Sequence, residues 1–218
     1  MIFSGREGSP VDFVILYEDA QILVCVKPRG ILSAPDASGK PSMAELLAPR
    51  TVYPVHRLDR EAGGLMVFAK TVQSAAALSA EIQAGTFQKE YLAFCEGRPP
   101  QEGTWEDLLY HDRGKNKTYV VKRRRAGVKD ARLSFRLLHS FEDGRGLTAI
   151  RLFTGRTHQI RVQFASRGFP LCGDRKYGAK RGGKLALFSW KLSFPYQGQE
   201  LSFCLPAAQL PPEAAAFV

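Results

Sequence analysis

Short apolar runs alternate with polar turns along most of the chain, and their lengths are typical of β-strands. Val11 to Tyr17 and Gln21 to Val26 predict a first strand pair, separated by Glu18 and Asp19. Further runs with the same character end at Gly, Pro or Asp clusters, which favour turns. They predict strands at residues 87–96, 104–110, 133–139, 147–153, 185–194 and 200–205.

Helical periodicity is confined to a few segments. Thr71 to Ala84 repeats apolar residues at helical spacing, with Thr71 as the N-cap and Gly85 just past the end. Ser42 to Ala48 predicts a shorter helix, which Pro49 ends. About ten strands against two or three helices indicate an α+β fold with a mixed, largely antiparallel sheet. No repeat or linker divides the chain, so we expect one domain at residues 11–206, between an N-terminal arm (1–10) and a C-terminal tail (207–218).

Residues 53–70 predict a strand, a tight loop and a second strand, with Asp59 in the loop. Two interpretations remain open for this acidic residue. In an arbitrary sequence the commoner one is a turn whose charges are simply solvated. The other is a carboxylate on a rigid strand end, kept ionised by Arg57 and Arg60, where Gly63 and Gly64 leave room for a ligand.

Charge changes this picture. The 218 residues include 31 Lys and Arg against 21 Asp and Glu, a net charge of +10, which favours a polyanionic partner and nucleic acid first. The most basic stretch, residues 111–132, contains Arg123, Arg124 and Arg125, and the apolar residues within it favour a protruding β-hairpin. We expect the three arginines to contact phosphates, although such a run is often only a solvated face. An anionic membrane is the second candidate partner, but no segment reaches the apolar length of a membrane span.

The sequence also narrows the compartment and the chemistry. Residues 1–10 have no apolar signal-peptide region, and the four scattered cysteines lack a metal or redox spacing, so we expect buried thiols in a cytoplasmic protein. We expect neither a metal nor a cofactor, because the four histidines lack ligand spacing and the common nucleotide-binding, hydrolase and deaminase motifs are missing. An enzyme that acts on RNA or DNA without a metal or cofactor has to work with side chains alone. An Arg-flanked carboxylate is then the natural nucleophile.

Several motifs in order resemble the signature of RluA-type RNA pseudouridine synthases. His56-Arg57-Leu58-Asp59 resembles the family's His-Arg-Leu-Asp, and Lys89-Glu90-Tyr91 its Lys-x-Tyr. Val24 to Gly30 resembles its Asn-Lys-Pro-x-Gly segment. Thr154 to Gly178 resembles its Thr-Gly-Arg-x-His-Gln-Ile-Arg through Gly-Asp-x-x-Tyr-Gly block, and the resemblance extends over residues 12–205.

This resemblance implies an enzyme that isomerises specific uridines in ribosomal RNA or tRNA, with the target uridine flipped out of its stack. Asp59 would be the nucleophile, Tyr91 would stack on the uracil and act in proton transfer, and Arg161 would pair with Asp59. His56 and Arg57 would line the site. Ile160 and Phe164 share one helical face and predict a further short helix. Arg156 and His158 add donors near its start, where they can bind substrate, although surface decoration is the alternative.

Two departures from the family pattern affect these expectations. Ala62 and Gly63 replace the usual Thr and Ser, and Val26 replaces the usual Asn. We expect activity to survive, since the nucleophile and its two partners remain. We expect the chain to start at the catalytic domain, with RNA specificity coming from that domain's own loops, and we expect a monomer.

Two other functions compete with this interpretation. A non-catalytic RNA-binding or RNA-folding protein on the same scaffold is the main alternative, but such a protein would need no nucleophile. A nuclease would need metal-binding carboxylates or a histidine pair near a basic cleft, which the sequence does not offer.

Overall fold

The computed structural model describes residues 3–4 and 13–217. Within the predicted N-terminal arm, Phe3–Ser4 forms a strand, whereas residues 1–2 and 5–12, including the predicted start of a strand at Val11, lie outside the described part. The chain folds into two compact units. The first unit comprises the described residues of 1–88 and 188–210, and the second unit those of 89–187 and 211–218.

A mixed sheet forms the first unit. Its strands run in the order β1-β2-β3-β5-β11-β12, with β4 also paired to β5. Among the described strand pairs within this unit, β5–β11 is parallel and the others are antiparallel. β5 is buried along its whole length, which fits its uninterrupted apolar sequence. The strands are β1 (Phe3–Ser4), β2 (Val14–Glu18), β3 (Ile22–Lys27), β4 (Tyr53–Pro54), β5 (Gly63–Ala69), β11 (Leu187–Tyr196, all but its first residue in this unit) and β12 (Gln199–Cys204).

Two helices in this unit confirm the sequence-based predictions. The short helix α1 (Met43–Leu46) starts at Ser42, whose side chain forms a capping box with Glu45. The longer helix α2 (Val72–Ala84) starts at the predicted N-cap, Thr71, and ends at Gly85 in the left-handed conformation. A 3-10 turn, Ala207–Gln209, lies near the end of the unit.

The second unit contains an antiparallel sheet in the order β6-β10-β9-β7-β8. One face packs on a short helix, α3 (Gln159–Ala165), where Trp105 and Phe135 contact Phe164 at ring distances of 4.8 and 5.7 Å. The sheet consists of β6 (Gln88–Glu96, all but its first residue in this unit), β7 (Glu102–Asp112), β8 (Lys117–Val121), β9 (Val128–Ser140) and β10 (Arg145–Leu152). A 3-10 turn (Arg175–Tyr177) and a terminal helix, α4 (Pro212–Ala215), complete the unit.

These observations confirm an α+β fold with mixed, largely antiparallel strands and few helices. The basic stretch differs in one respect from the expected hairpin. β7 and β8 do form a hairpin, but β9 pairs with the other edge of β7, so Arg123 to Arg125 lie in the connection that crosses from β8 to β9. The domain limits at residues 11 and 206 stay a prediction.

Candidate active site

The loop between β4 and β5, residues 55–62, carries Asp59 and is anchored on both sides of it. Before Asp59, the hydroxyl of Ser33 donates to the Leu58 carbonyl at 2.9 Å, and the Leu58 amide donates back to the same hydroxyl at 3.0 Å. Both polar groups of the Leu58 main chain next to the carboxylate residue are thereby fixed, while the Asp59 side chain itself is half-buried.

Lys27, the last residue of β3, fixes the chain on the other side. Its side chain is fully buried, and Nζ donates to the carbonyls of Pro28, Ile31 and Arg60 at 2.9, 2.7 and 3.1 Å. The Gly30 amide also donates to the Arg60 carbonyl, at 2.8 Å. The residue that follows Asp59 is therefore bound to the turn that follows β3.

The same lysine adds a charge near the candidate nucleophile. Burial lowers the pKa of Lys27 to about 8, while the negative charges of Asp59 and Glu61 oppose the shift. Sequence reasoning identified only a positively charged turn here. The Lys-Pro-x-Gly motif was the available signal, but it does not reveal that the lysine points into the protein.

The glycines after the loop are needed for close backbone packing. Gly64 has φ 113°, and a Cβ there would lie 2.3 Å from the Ser189 carbonyl oxygen. A Cβ at Gly63 would lie 3.2 Å from Arg29 Cγ, and Ala62 is only 1% exposed. Ala62 and Gly63, which replace the usual Thr and Ser, are thus small residues in tightly packed surroundings.

His56 has a structural partner in the first unit. Its Nε2 accepts a hydrogen bond from the Val67 amide of β5 at 3.1 Å, and its ring lies 5.6 Å from that of Phe87. Arg57, in contrast, is exposed. Whether either residue contacts substrate stays a prediction.

Tyr91 lies in β6 of the second unit and is 5% exposed. It pairs with Ile150 of β10, and Lys89 pairs with Leu152 two positions along. Because side chains alternate along a strand, Tyr91 and Lys89 share one face of the sheet and Glu90 lies on the other.

Arg161, on α3, forms a buried bidentate ion pair with Asp174. Nε and Nη2 lie 2.7 and 2.8 Å from the two carboxylate oxygens, and the two side chains are 8% and 1% exposed. The guanidinium also lies 5.2 Å from the centre of the Tyr177 ring. Asp174 is a partner that sequence reasoning missed, although it stands in the quoted Gly-Asp-x-x-Tyr-Gly motif. The predicted pairing of Arg161 with Asp59 stays a prediction.

A second cluster surrounds His158, the residue before α3. It is 8% exposed and adopts a left-handed conformation with φ 54°. Its Nδ1 lies 2.9 Å from the Tyr177 hydroxyl, which accepts from the Thr118 amide at 2.8 Å. Burial raises the pKa of Tyr177. His158 thus connects α3 to β8 and to the 3-10 turn at residues 175–177.

Arg156 is also tied to its neighbours. Its Nε donates to the Asp130 carbonyl at 2.8 Å, and its amide donates to Gln159 Oε1 at 3.0 Å. Arg156 is half-buried.

The three consecutive arginines have different surroundings. Arg124 forms a bidentate pair with Asp130 at 2.9 and 2.5 Å, and both side chains are well exposed. Arg125 lies over the Tyr110 ring at 4.6 Å. For Arg123, no ion pair or hydrogen bond with another described residue is found. Arg124 therefore offers the least uncompensated charge to an anionic ligand.

Neither a metal site nor a membrane span is found among the described residues. No set of three or more His, Cys, Asp or Glu side chains there is arranged to hold a metal ion. In the same part of the chain, no helix is long and apolar enough to cross a membrane. All four cysteines are free thiols, and Cys25, Cys95 and Cys172 are buried, as predicted. The prediction was wrong for Cys204, which is exposed because it lies at the end of β12, a strand with no buried residue.

Known proteins are similar to this chain in both sequence and fold. The family described as RNA pseudouridylate synthase matches residues 21–166. YhcT of Bacillus subtilis, named an uncharacterized RNA pseudouridine synthase, is 36% identical over 183 residues, covering 78% of this chain and 59% of the relative. Ribosomal large subunit pseudouridine synthase D of Yersinia pestis is 36% identical over 185 residues, covering 78% and 54%. The chain thus spans little more than half the length of these relatives.

A solved structure extends the comparison to the fold. Human RNA Pseudouridylate Synthase Domain Containing 1 has a TM-score of 0.75 with this chain at 21% identity, covering 92% of this chain and 85% of that one. The family match covers more than half of the sequence. The chain therefore belongs to the RNA pseudouridylate synthase family, and its assignment to the RluA type is confirmed.

Proposed function

We propose that the chain is an RNA pseudouridine synthase that isomerises specific uridines in structured RNA, either ribosomal RNA or tRNA, with Asp59 as the nucleophile. Family membership and the net charge of +10 support this function. The name of the Yersinia pestis relative refers to the large ribosomal subunit, which supports a ribosomal substrate. The observation that carries the proposal is the Asp59 loop, whose backbone is anchored on both sides of the carboxylate.

All bonds and protons of the isomerisation are accounted for by the uridine nucleotide and by proton exchange with water. The bond between C1′ and N1 of uridine breaks, the base turns, and a bond forms between C1′ and C5. The hydrogen on C5 leaves as a proton and N1 gains one, so the isomerisation needs no oxidant or reductant. Asp59 acts by attack on C1′, by attack on the base, or by proton removal after elimination, and all three routes use an ionised carboxylate.

Two further residues have roles in this proposal. Tyr91 stacks on the uracil and takes part in proton transfer, and Arg161 pairs with Asp59 and keeps it ionised. Asp174 is then a positioning residue, because its carboxylate fixes the plane of the Arg161 guanidinium. A guanidinium has five N–H donors, so a fork bound to one carboxylate has capacity for another.

The substrate has to leave its stack to be reached, as in base flipping, and this costs a few kcal/mol. Phosphate contacts recover that free energy, and Arg123 to Arg125 together with the basic residues at 175–184 are the groups we assign to them. His56, Arg57, Arg156 and His158 belong to the substrate-binding set. Unstacked loop uridines are the least costly targets.

The test uses RNA labelled with tritium at C5 of uridine, prepared as ribosomal RNA and tRNA from the same cell. The wild-type protein is expected to release tritium, and Asp59→Asn, which keeps the size of the side chain, is expected to release none. Thermal unfolding of Asp59→Asn serves as the folding control. Equal release by the variant contradicts the assigned nucleophile.

The same experiment separates the competing functions. RNA that is bound but releases no tritium with any wild-type preparation indicates the non-catalytic binding or folding protein. RNA that becomes shorter indicates a nuclease.

Compartment and assembly complete the proposal. We assign the protein to the cytoplasm as a monomer, and the free, buried thiols of Cys25, Cys95 and Cys172 support a reducing compartment. Analytical ultracentrifugation over a range of concentrations tests the monomer, which a concentration-dependent mass would contradict.

A further inference from the structure

Lys89 is an unusual lysine for an ordinary sheet. Lysine is rarely buried without a partner, yet this residue is only 9% exposed. Within the described residues 13–217, no oxygen accepts a hydrogen bond from its ammonium and no carboxylate pairs with it. Burial and the positive charge of Arg156 both lower the pKa of Lys89.

A second cation, Arg156, and an exposed glycine, Gly155, lie near the Lys89 ammonium. Gly155 is exposed, and a methyl group at that position would lie 3.4 Å from Lys89 Nζ. The next residue is Arg156, whose Nε is bound to the Asp130 carbonyl, whereas its Nη1 and Nη2 form no hydrogen bond or ion pair with any described residue within 13–217. The charge of Arg156 is close enough to lower the pKa of Lys89, so an anion beside Gly155 lies near both cations.

Such an arrangement is unfavourable in the free protein. The side chain of Lys89 is little exposed, so its ammonium loses part of its hydration without gaining an acceptor, and the positive charge of Arg156 adds repulsion. Both penalties disappear when an anion with several acceptor oxygens enters, because each cation then gains a charge-assisted hydrogen bond. The geometry therefore favours a phosphate group, which the arginine fork and the lysine point charge both suit.

We propose that Lys89, Arg156 and the open position at Gly155 form a binding site for one backbone phosphate of the RNA, next to the target uridine. This inference rests on the proposed function, since RNA supplies the phosphate. Lys89 shares a sheet face with Tyr91, two residues further along β6, which corresponds to about 7 Å along the strand. A uracil stacked on Tyr91 and a phosphate at Lys89 are thus separated by no more than the size of one nucleotide.

The first test measures binding without turnover. In the full chain carrying Asp59→Asn, the affinity for a short oligouridylate is measured against salt concentration. Adding Lys89→Met is expected to weaken binding roughly tenfold or more, because a charge-assisted contact is lost. The slope of log K against log salt is expected to fall by about 0.7, the value for one phosphate contact to a single strand.

The second measurement concerns the free protein. Methionine keeps the length of the lysine side chain and removes its buried charge, so Lys89→Met is expected to unfold at the same Tm or a higher one. A lysine with a purely structural role gives the opposite pattern, with a lower Tm and an unchanged salt slope. That pattern would overturn the phosphate site.

Two matched variants test separately the charge of Lys89 and the access of a ligand to its ammonium. Lys89→Arg retains the cation and is expected to keep the salt slope. Gly155→Ala retains both cations but places a methyl group against the ammonium, so it is expected to weaken oligouridylate binding without lowering Tm. Unchanged affinity in both Lys89→Met and Gly155→Ala would refute the site.

Failure of this inference is distinguishable from failure of the proposed function. A wild-type protein that releases tritium, combined with a Lys89→Met variant of unchanged affinity and slope, leaves the enzyme in place and removes the phosphate site. A wild-type protein that releases none contradicts the function, while the binding series still decides whether Lys89 holds a phosphate.

Discussion

The two units hold their candidate catalytic residues in different ways. In the first unit, Ser33 and Lys27 bind the main chain on either side of Asp59. In the second unit, the Asp174 carboxylate binds the charged end of the Arg161 side chain, on a helix of seven residues. Backbone anchors fix where a side chain begins, whereas a bidentate ion pair fixes the direction of its charged group.

This difference has an energetic consequence. Breaking a buried ion pair leaves a charge without compensation in a medium that solvates it poorly. Removing a donor from a backbone carbonyl leaves a neutral group without a partner, which costs less. Substitutions in the second unit should therefore affect stability most, and those around the Asp59 loop should affect activity relatively more.

The largest expected effect is that of Asp174→Ala. Its carboxylate is 1% exposed, so the variant should lose about 3–5 kcal/mol of unfolding free energy, measured by chemical denaturation. Asp130→Ala is the matched control, because Asp130 also forms a bidentate pair, with Arg124, but is 64% exposed. The control should unfold almost as the wild type does, since exposed pairs contribute little. Equal losses of unfolding free energy in Asp174→Ala and Asp130→Ala would show that burial does not distinguish the two ion pairs.

Lys27→Met should have an intermediate effect. It removes a donor from the carbonyls of Pro28, Ile31 and Arg60, and we expect a loss of about 2 kcal/mol below pH 8, with lower kcat. The loss should grow as the pH rises.

The pH dependence follows from the sign of the shift. The pKa of Lys27 in the folded chain, about 8, is below its ordinary value of 10.5, so the unfolded state binds more protons between these values. Wild-type stability from this group therefore rises with pH across that window and is lost as the pH falls through about 8. Denaturation of both proteins at the two ends of the window measures the difference. If the difference in unfolding free energy between the wild type and Lys27→Met stays constant or becomes smaller as the pH rises, the lowered pKa of Lys27 is contradicted.

Ser33→Ala should have the smallest effect on stability. It removes both hydrogen bonds to Leu58, at an expected cost of about 1–2 kcal/mol. Because Leu58 adjoins Asp59, tritium release should slow through kcat, with KM little changed. Ser38→Ala, in an exposed loop that shares no contact with Leu58, is the control and should match the wild type in both measurements. Equal kcat values for the two variants would show that this anchor does not position Asp59.

Several features of the protein follow from its sequence alone. The helix at residues 72–84 was predictable because its N-cap, apolar spacing and terminal glycine are all local signals. The strand, loop and strand around Asp59 were predictable for the same reason, and the motifs in order identified the family. Each of these patterns is written in residues that are close together in the chain.

Only the tertiary structure decided which distant residues meet. Nothing in the local sequence shows that Lys27 is buried against the Arg60 carbonyl, or that Asp174 holds Arg161. The arginine run gives the same lesson, since strand pairing brings Asp130 to Arg124 and leaves Arg123 without such a partner among the described residues. Composition records how many charges a chain carries, but whether each one is compensated depends on contacts between segments, which only folding creates.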